Sequence, residues 1–91
     1  MRIELTERFL RQLRRLPKLE RKRIGEGINL VRDCWGEPHF HAGIGLRGLK
    51  KNVFECRVDL KRRLLVENLP GILRFHGVFS HDEIKKIIRR W

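Results

Sequence analysis

Tyrosine is absent from the 91 residues, and cysteine, proline and methionine are scarce, at two, three and one. The first absence removes one acid–base side chain from any catalytic scheme. Cys34 and Cys56 are too few for a disulfide framework and read as small buried hydrophobes of a reducing compartment. Acidic residues are outnumbered two to one, 11 against 22 Lys and Arg, for a net charge of +11. No apolar run approaches the ~18–20 residues of a membrane span. The opening "MRIEL" is not followed by a signal-peptide core, so a cytoplasmic location is expected. There is no Gly-rich phosphate loop, no Ser/His/Asp order and no zinc-finger spacing, and no cofactor is expected. His39 and His41, with His76 or His81, would be the only route to a zinc site, and without further ligand spacing no metal is expected.

What is present suits one small α+β domain spanning residues 1–91. "RIEL" reads as a strand, with Thr6 placed to cap the helix that follows. Phe9, Leu13 and Leu16 recur at helical spacing, and Arg8, Arg11, Arg14 and Arg15 take the other side. Pro17 stops that helix and suits the start of a second, whose stripe is Ile24, Ile28, Val31 and Trp35. "WGEPHFHAGIG" reads as a loop.

The period then falls to two. Phe54, Cys56, Val58 and Leu60 alternate with Val53, Glu55, Arg57 and Asp59. "RLLVENL" continues as a strand, and "NLPG" supplies Pro70 and Gly71 to a type II turn. In the next strand Leu73, Phe75 and Phe79 alternate with Arg74, His76 and Val78. Ser80 and Glu83 fit a capping box ahead of a helix with the stripe Ile84, Ile87, Ile88 and Trp91. The expected order is β-α-α-β-β-β-α: an N-terminal strand, a helix hairpin packed on a curved, mostly antiparallel sheet, and a C-terminal helix. The apolar side of the sheet lies under the hairpin, and the side carrying Glu55 and Arg57 stays exposed.

So strong a positive field favours polyanions, nucleic acid first among them. Arg57 and Arg63, on neighbouring strands, can grip a phosphate and stabilise charge building on it. His81 follows the last strand at a helix N-terminus, where an imidazole can donate a proton to a leaving oxygen. Ribonucleolytic cleavage further needs a base for the ribose 2′-hydroxyl, and Glu55, His39 and His41 are the candidates.

The chain resembles the RelE/ParE superfamily of bacterial toxins over almost its whole length. The resemblance rests on the opening strand, "FLRQLRRLPK" entering a helix hairpin, "LRGL" before the sheet, "FECRVDLKRRLLVE" and a functional tip on the last strand. It implies a toxin held by an acidic antitoxin, acting as a metal-independent endoribonuclease on messenger RNA in the ribosome. Arg57 and Arg63 match basic strand positions of such enzymes, and His81 falls where the YoeB and YafQ types place their catalytic histidine. Together with Glu55 they form the expected catalytic set. Arg47, Lys50, Lys51, Arg62, Arg74, His76 and His41 are expected to contact RNA. The departures are Glu55 where a RelE-type enzyme has lysine, His81 where it has arginine, and the missing tyrosine. The YoeB glutamate has no counterpart, Ile44 falling near its place, and a helix continues past the tip. The resemblance also admits a ParE-like gyrase poison without nuclease chemistry and a non-catalytic RNA-binding member.

Overall fold

Thr6 ends the first strand and begins the first helix, its hydroxyl accepting from the Phe9 amide at 3.2 Å. This is the predicted N-cap, a contact of about 1 kcal/mol. The structure is a computed structural model that describes residues 1–37 and 43–91. Its elements are β1 (Arg2–Leu5), α1 (Glu7–Arg14), α2 (Lys18–Cys34), β2 (Leu46–Lys50), β3 (Val53–Arg57), β4 (Arg63–Leu69), β5 (Ile72–Phe79) and α3 (His81–Arg89). The fold is α+β. The sheet runs β1-β5-β4-β3-β2, with β1 parallel to β5 and every other pair antiparallel.

Both helices of the hairpin lie on one side of this sheet. Phe9 of α1 and Ile24 and Val31 of α2 pack there with Cys56, Leu64, Val66, Leu73 and Phe75. Phe9 and Phe75 are wholly buried, each contributing roughly 2–3 kcal/mol of apolar transfer. Phe54 and Val58 join this side, as the alternation in β3 predicts.

The other side is not the open charged face the sequence suggests. Helix α3 folds back across it, and Ile84 closes a second core over Val53, Leu65 and Phe79, with Leu49, Ile87 and Ile88 around it. The capping box of Ser80 and Glu83 starts α3 as predicted. At its other end Lys50 Nζ donates to the Ile88 and Trp91 carbonyls at 3.1 and 2.8 Å, satisfying acceptors that a helix C-terminus leaves bare.

Three further expectations need correction. A fifth strand, β2, pairs with β3 where the sequence reading assigns no element. Its two leucines are three residues apart, and a register shift between Gly48 and Lys50 breaks the period that would reveal a strand. Leu60, expected on the apolar face, stands 93% exposed in the β3–β4 turn, because β3 ends at Arg57.

The third correction concerns β5. Leu65 pairs with Gly77 and Val66 with Phe75, so His76 is an extra residue with no counterpart in β4. Beyond this bulge the parity reverses: Val78 joins the hairpin-side core and Phe79 the core beneath α3. Gly77 takes φ 153°, and a Cβ there would come within 2.7 Å of both Gln12 Oε1 and the Phe79 ring. On the β1 side, where pairing ends at Leu5, the Gln12 amide serves Val78 instead, accepting from Val78 N at 2.8 Å and donating to Val78 O at 2.9 Å. By turning Phe79 toward α3, the bulge directs the chain into Ser80 and His81.

Two predictions follow from the packing. Gly77→Ala combines an unfavourable backbone with two hard contacts and should cost on the order of 2–4 kcal/mol in urea unfolding. A stability equal to the parent's would remove the bulge argument. Burial, and secondarily the neighbouring Cys34, pushes the Cys56 thiol up to about 11. Native protein should therefore resist iodoacetamide at Cys56 near pH 8 and react there in denaturant. Cys56's contribution to stability is complete below its unperturbed value of 9.0 and is lost as pH rises toward about 11.

Candidate active site

Where β3 ends, β4 begins and β5 runs into α3, the sheet leaves a cleft of about 650 Å³. Its walls are the 43–46 segment entering β2, Arg47 of β2, Glu55 and Arg57 of β3, Arg63 of β4 and His81 at the start of α3. Antiparallel pairing makes this convergence. Arg57 stands opposite Arg63, Arg63 opposite Phe79, and Arg47 opposite Glu55. Strands β3 and β4 and a helix N-terminus thus deliver all four catalytic candidates to one place, and the edge strand β2 adds Arg47.

Arg57 is exposed and, among the described residues, makes no ion pair. Its backbone is fixed from the side: Arg57 N donates to Gly45 O at 3.2 Å. Gly45 adopts φ 75°, and a Cβ on it would sit 3.1 Å from Arg57 Cβ, so this approach requires glycine.

Glu55 differs most from expectation. It lies on the predicted side of the sheet but is 2% exposed, not solvated. Oε1 accepts from Arg47 Nη2 at 2.6 Å and from Arg63 Nη1 at 2.7 Å. Oε2 is buried and, among the described residues, has no hydrogen-bond partner. The carboxylate is the anionic centre of a cationic cleft.

His81 is half-buried at the first turn of α3, where unpaired helical amides favour an anion. Its Nδ1 is buried and, among the described residues, has no hydrogen-bond partner. Among the described residues no three His, Cys, Asp or Glu side chains gather as a metal site would need, and no helix is long and apolar enough to cross a membrane.

The cations expected to contact RNA divide sharply. Arg47 lines the cleft and remains mostly exposed while pairing with Glu55. Lys51 is exposed beside the β2–β3 turn, away from the cleft lining. Lys50 is committed to the end of α3. Arg62 is clamped in the β3–β4 turn, with Asp59 at 2.9 Å and Glu20 of α2 at 3.7 Å. Burial opposes it, yet the donors on Lys61 and Arg62 hold the Asp59 carboxyl below its usual value. Arg74 pairs with Glu4 and Glu67, and His76 meets Glu67 at 2.8 Å with its ring edge against Trp91. Lys50, Arg62, Arg74 and His76 thus already serve the fold, and parity alone does not show the carboxylates and carbonyls that engage them. His39 and His41, with their part in a base or a metal site, lie outside the described residues.

Sequence reasoning missed the 43–46 wall and the pairing of Arg47 with Glu55. Recognising β2 would have revealed both, since its register sets Arg47 directly across from Glu55.

No family model and no curated protein matches the chain. Solved structures do. The archaeal RelE–RelB complex from Pyrococcus horikoshii OT3 matches with a TM-score of 0.69 at 14% identity, over 87% of this chain and 92% of that one. A YoeB/ParE toxin from Agrobacterium tumefaciens matches at 0.63 and 22% identity, over 89% and 99%. The DinJ–YafQ complex of E. coli matches at 0.65 and 16%, over 92% and 98%. With its α+β order, five-stranded mixed sheet and flanking helices, this chain has the fold of the RelE/ParE superfamily of toxins.

Proposed function

We propose that this protein is the toxin of a toxin–antitoxin pair and a metal-independent endoribonuclease that cleaves messenger RNA on the ribosome. One observation carries the reading: Arg57, Arg63 and His81, from three different elements, line the same cleft. The scissile phosphate sits between the two guanidiniums and the N-terminus of α3. Arg57 and Arg63 stabilise the charge that builds on the phosphorane as the 2′-oxygen, its proton passing to solvent water, attacks and the bond from phosphorus to the 5′-oxygen breaks. His81 donates a proton to the departing 5′-oxygen. The ribosome presents the strand, and the reaction takes place in the cytoplasm.

The partner follows from the same charge. A chain of net charge +11 calls for an acidic protein to neutralise it at rest. Solved relatives of this fold are complexes of RelE with RelB, YoeB with YefM and YafQ with DinJ. An acidic antitoxin encoded beside this protein should form a complex that weakens as salt rises. Failure of the two to associate at low salt would remove the assignment.

The chemistry is tested by single-turnover cleavage on programmed ribosomes, with thermal melts of every variant. His81→Ala should slow cleavage by ~10²–10⁴-fold, the usual loss with an acid catalyst. Arg57→Ala breaks no ion pair and should cost ~10²–10³-fold with little change in melting. RNA affinity should fall only modestly, since one cation among many is removed. Cleavage by His81→Ala at the parent's rate would exclude the proton donor, and a parent that never cuts would exclude the nuclease.

A further inference from the structure

We infer that Glu55 is not the general base of this cleft but a positioning residue, which acts by holding Arg63 and Arg47 at the cleft wall. The inference rests on the nuclease reading only for its kinetic test; the holding contact itself is measurable without any cleavage.

The geometry separates the two roles. A base must bring a free carboxylate oxygen within hydrogen-bonding reach of the ribose hydroxyl. Glu55 offers none. Oε1 already accepts from Arg47 Nη2 at 2.6 Å and Arg63 Nη1 at 2.7 Å, and Oε2 is buried and, among the described residues, without a partner. Its side chain is 3% exposed while those of Arg63 and Arg47 are 17% and 62% exposed. The carboxylate therefore lies behind its two cations as seen from solvent. A ribose entering the cleft meets guanidinium first.

The sequence around the cleft explains why such a residue is needed. β-Sheet register sets Arg57 directly opposite Arg63, and like charges facing one another across two strands repel. Arg47 adds a third cation from the adjoining edge strand. Long arginine side chains under mutual repulsion splay into solvent, and a phosphate would have to gather them at an entropic cost. One buried anion shared by Arg47 and Arg63 removes that cost before substrate arrives. Each guanidinium still has donors left for a phosphate. Lines of charge thus run Glu55 inward, arginines at the wall, phosphate outward.

The test uses the full chain, with Glu55→Gln, which keeps the shape and removes the charge, and Glu55→Asp, which keeps the charge and shortens the reach. Three quantities are measured: the single-turnover rate against pH on programmed ribosomes, the affinity for a single-stranded RNA oligonucleotide, and the ¹⁵N–¹H signals of the Arg63 side chain. For a positioning residue, Glu55→Gln should cut ~10–100-fold more slowly, a partial loss of preorganised charge. It should bind RNA no more weakly, because a negative charge has gone, and keep the parent's pH profile. The Arg63 signals should shift and broaden, and Glu55→Asp should recover part of the rate. Loss of the acidic limb of the pH profile in Glu55→Gln would identify Glu55 as the base and overturn the inference. An unchanged rate with unchanged Arg63 signals would overturn it equally. If the parent cuts no RNA, the nuclease reading fails separately, and the Arg63 signals alone decide whether Glu55 holds that side chain.

Discussion

A single buried carboxylate oxygen organises the end of this sheet. Glu55 Oε1 ties β2 to β3 through Arg47 and β3 to β4 through Arg63, in a cleft lined by three arginines and, among the described residues, no other carboxylate. Burying a carboxylate costs several kcal/mol unless charge and hydrogen bonds offset it. Here two guanidiniums do so at Oε1, while Oε2 finds no donor among the described residues. The arrangement is costly for stability and useful for function: it concentrates cations where repulsion would otherwise disperse them.

The remainder of the fold delivers groups to that centre. The bulge at His76 and the backbone of Gly77 turn Phe79 toward α3, Ser80 caps the helix, and His81 enters the cleft as its first residue. Ile84 and Lys50 then hold α3 against the sheet at its start and its end. On the opposite side the α1–α2 hairpin supplies the main core and keeps the strands in register. Positive charge not used in the cleft is partly consumed within the fold, by Asp59 and Glu20 at Arg62 and by Glu4 and Glu67 at Arg74.

Much of this was legible in the sequence, because it is local. The Thr6 and Ser80 caps, the stripe containing Ile24 and Val31, and the Phe54/Cys56 alternation each depend on residues a few positions apart. The turn at Pro70–Gly71 was equally plain, and Gly71 takes the φ of 71° that its place in such a turn needs. What escaped is non-local. Strand β2 has a broken period and shows itself only by pairing with β3. The parity of β5 reverses at a bulge, although a glycine inside an apolar strand is its usual signal. Arg57 and Arg63 share the cleft by parity and His81 by its place after the last strand, whereas the burial of Glu55 required knowing that Arg47 lay across from it.

The central claim is that phosphate is received between Arg57, Arg63 and the start of α3. It is tested most directly by titrating the ¹⁵N-labelled protein with a non-cleavable, 2′-deoxy-substituted RNA oligonucleotide and mapping the perturbed signals. The account predicts the largest saturable shifts at the Arg57 and Arg63 side chains and the His81 ring. Shifts centred instead on Arg74, His76 and the β1–β5 edge, with the cleft silent, would contradict it.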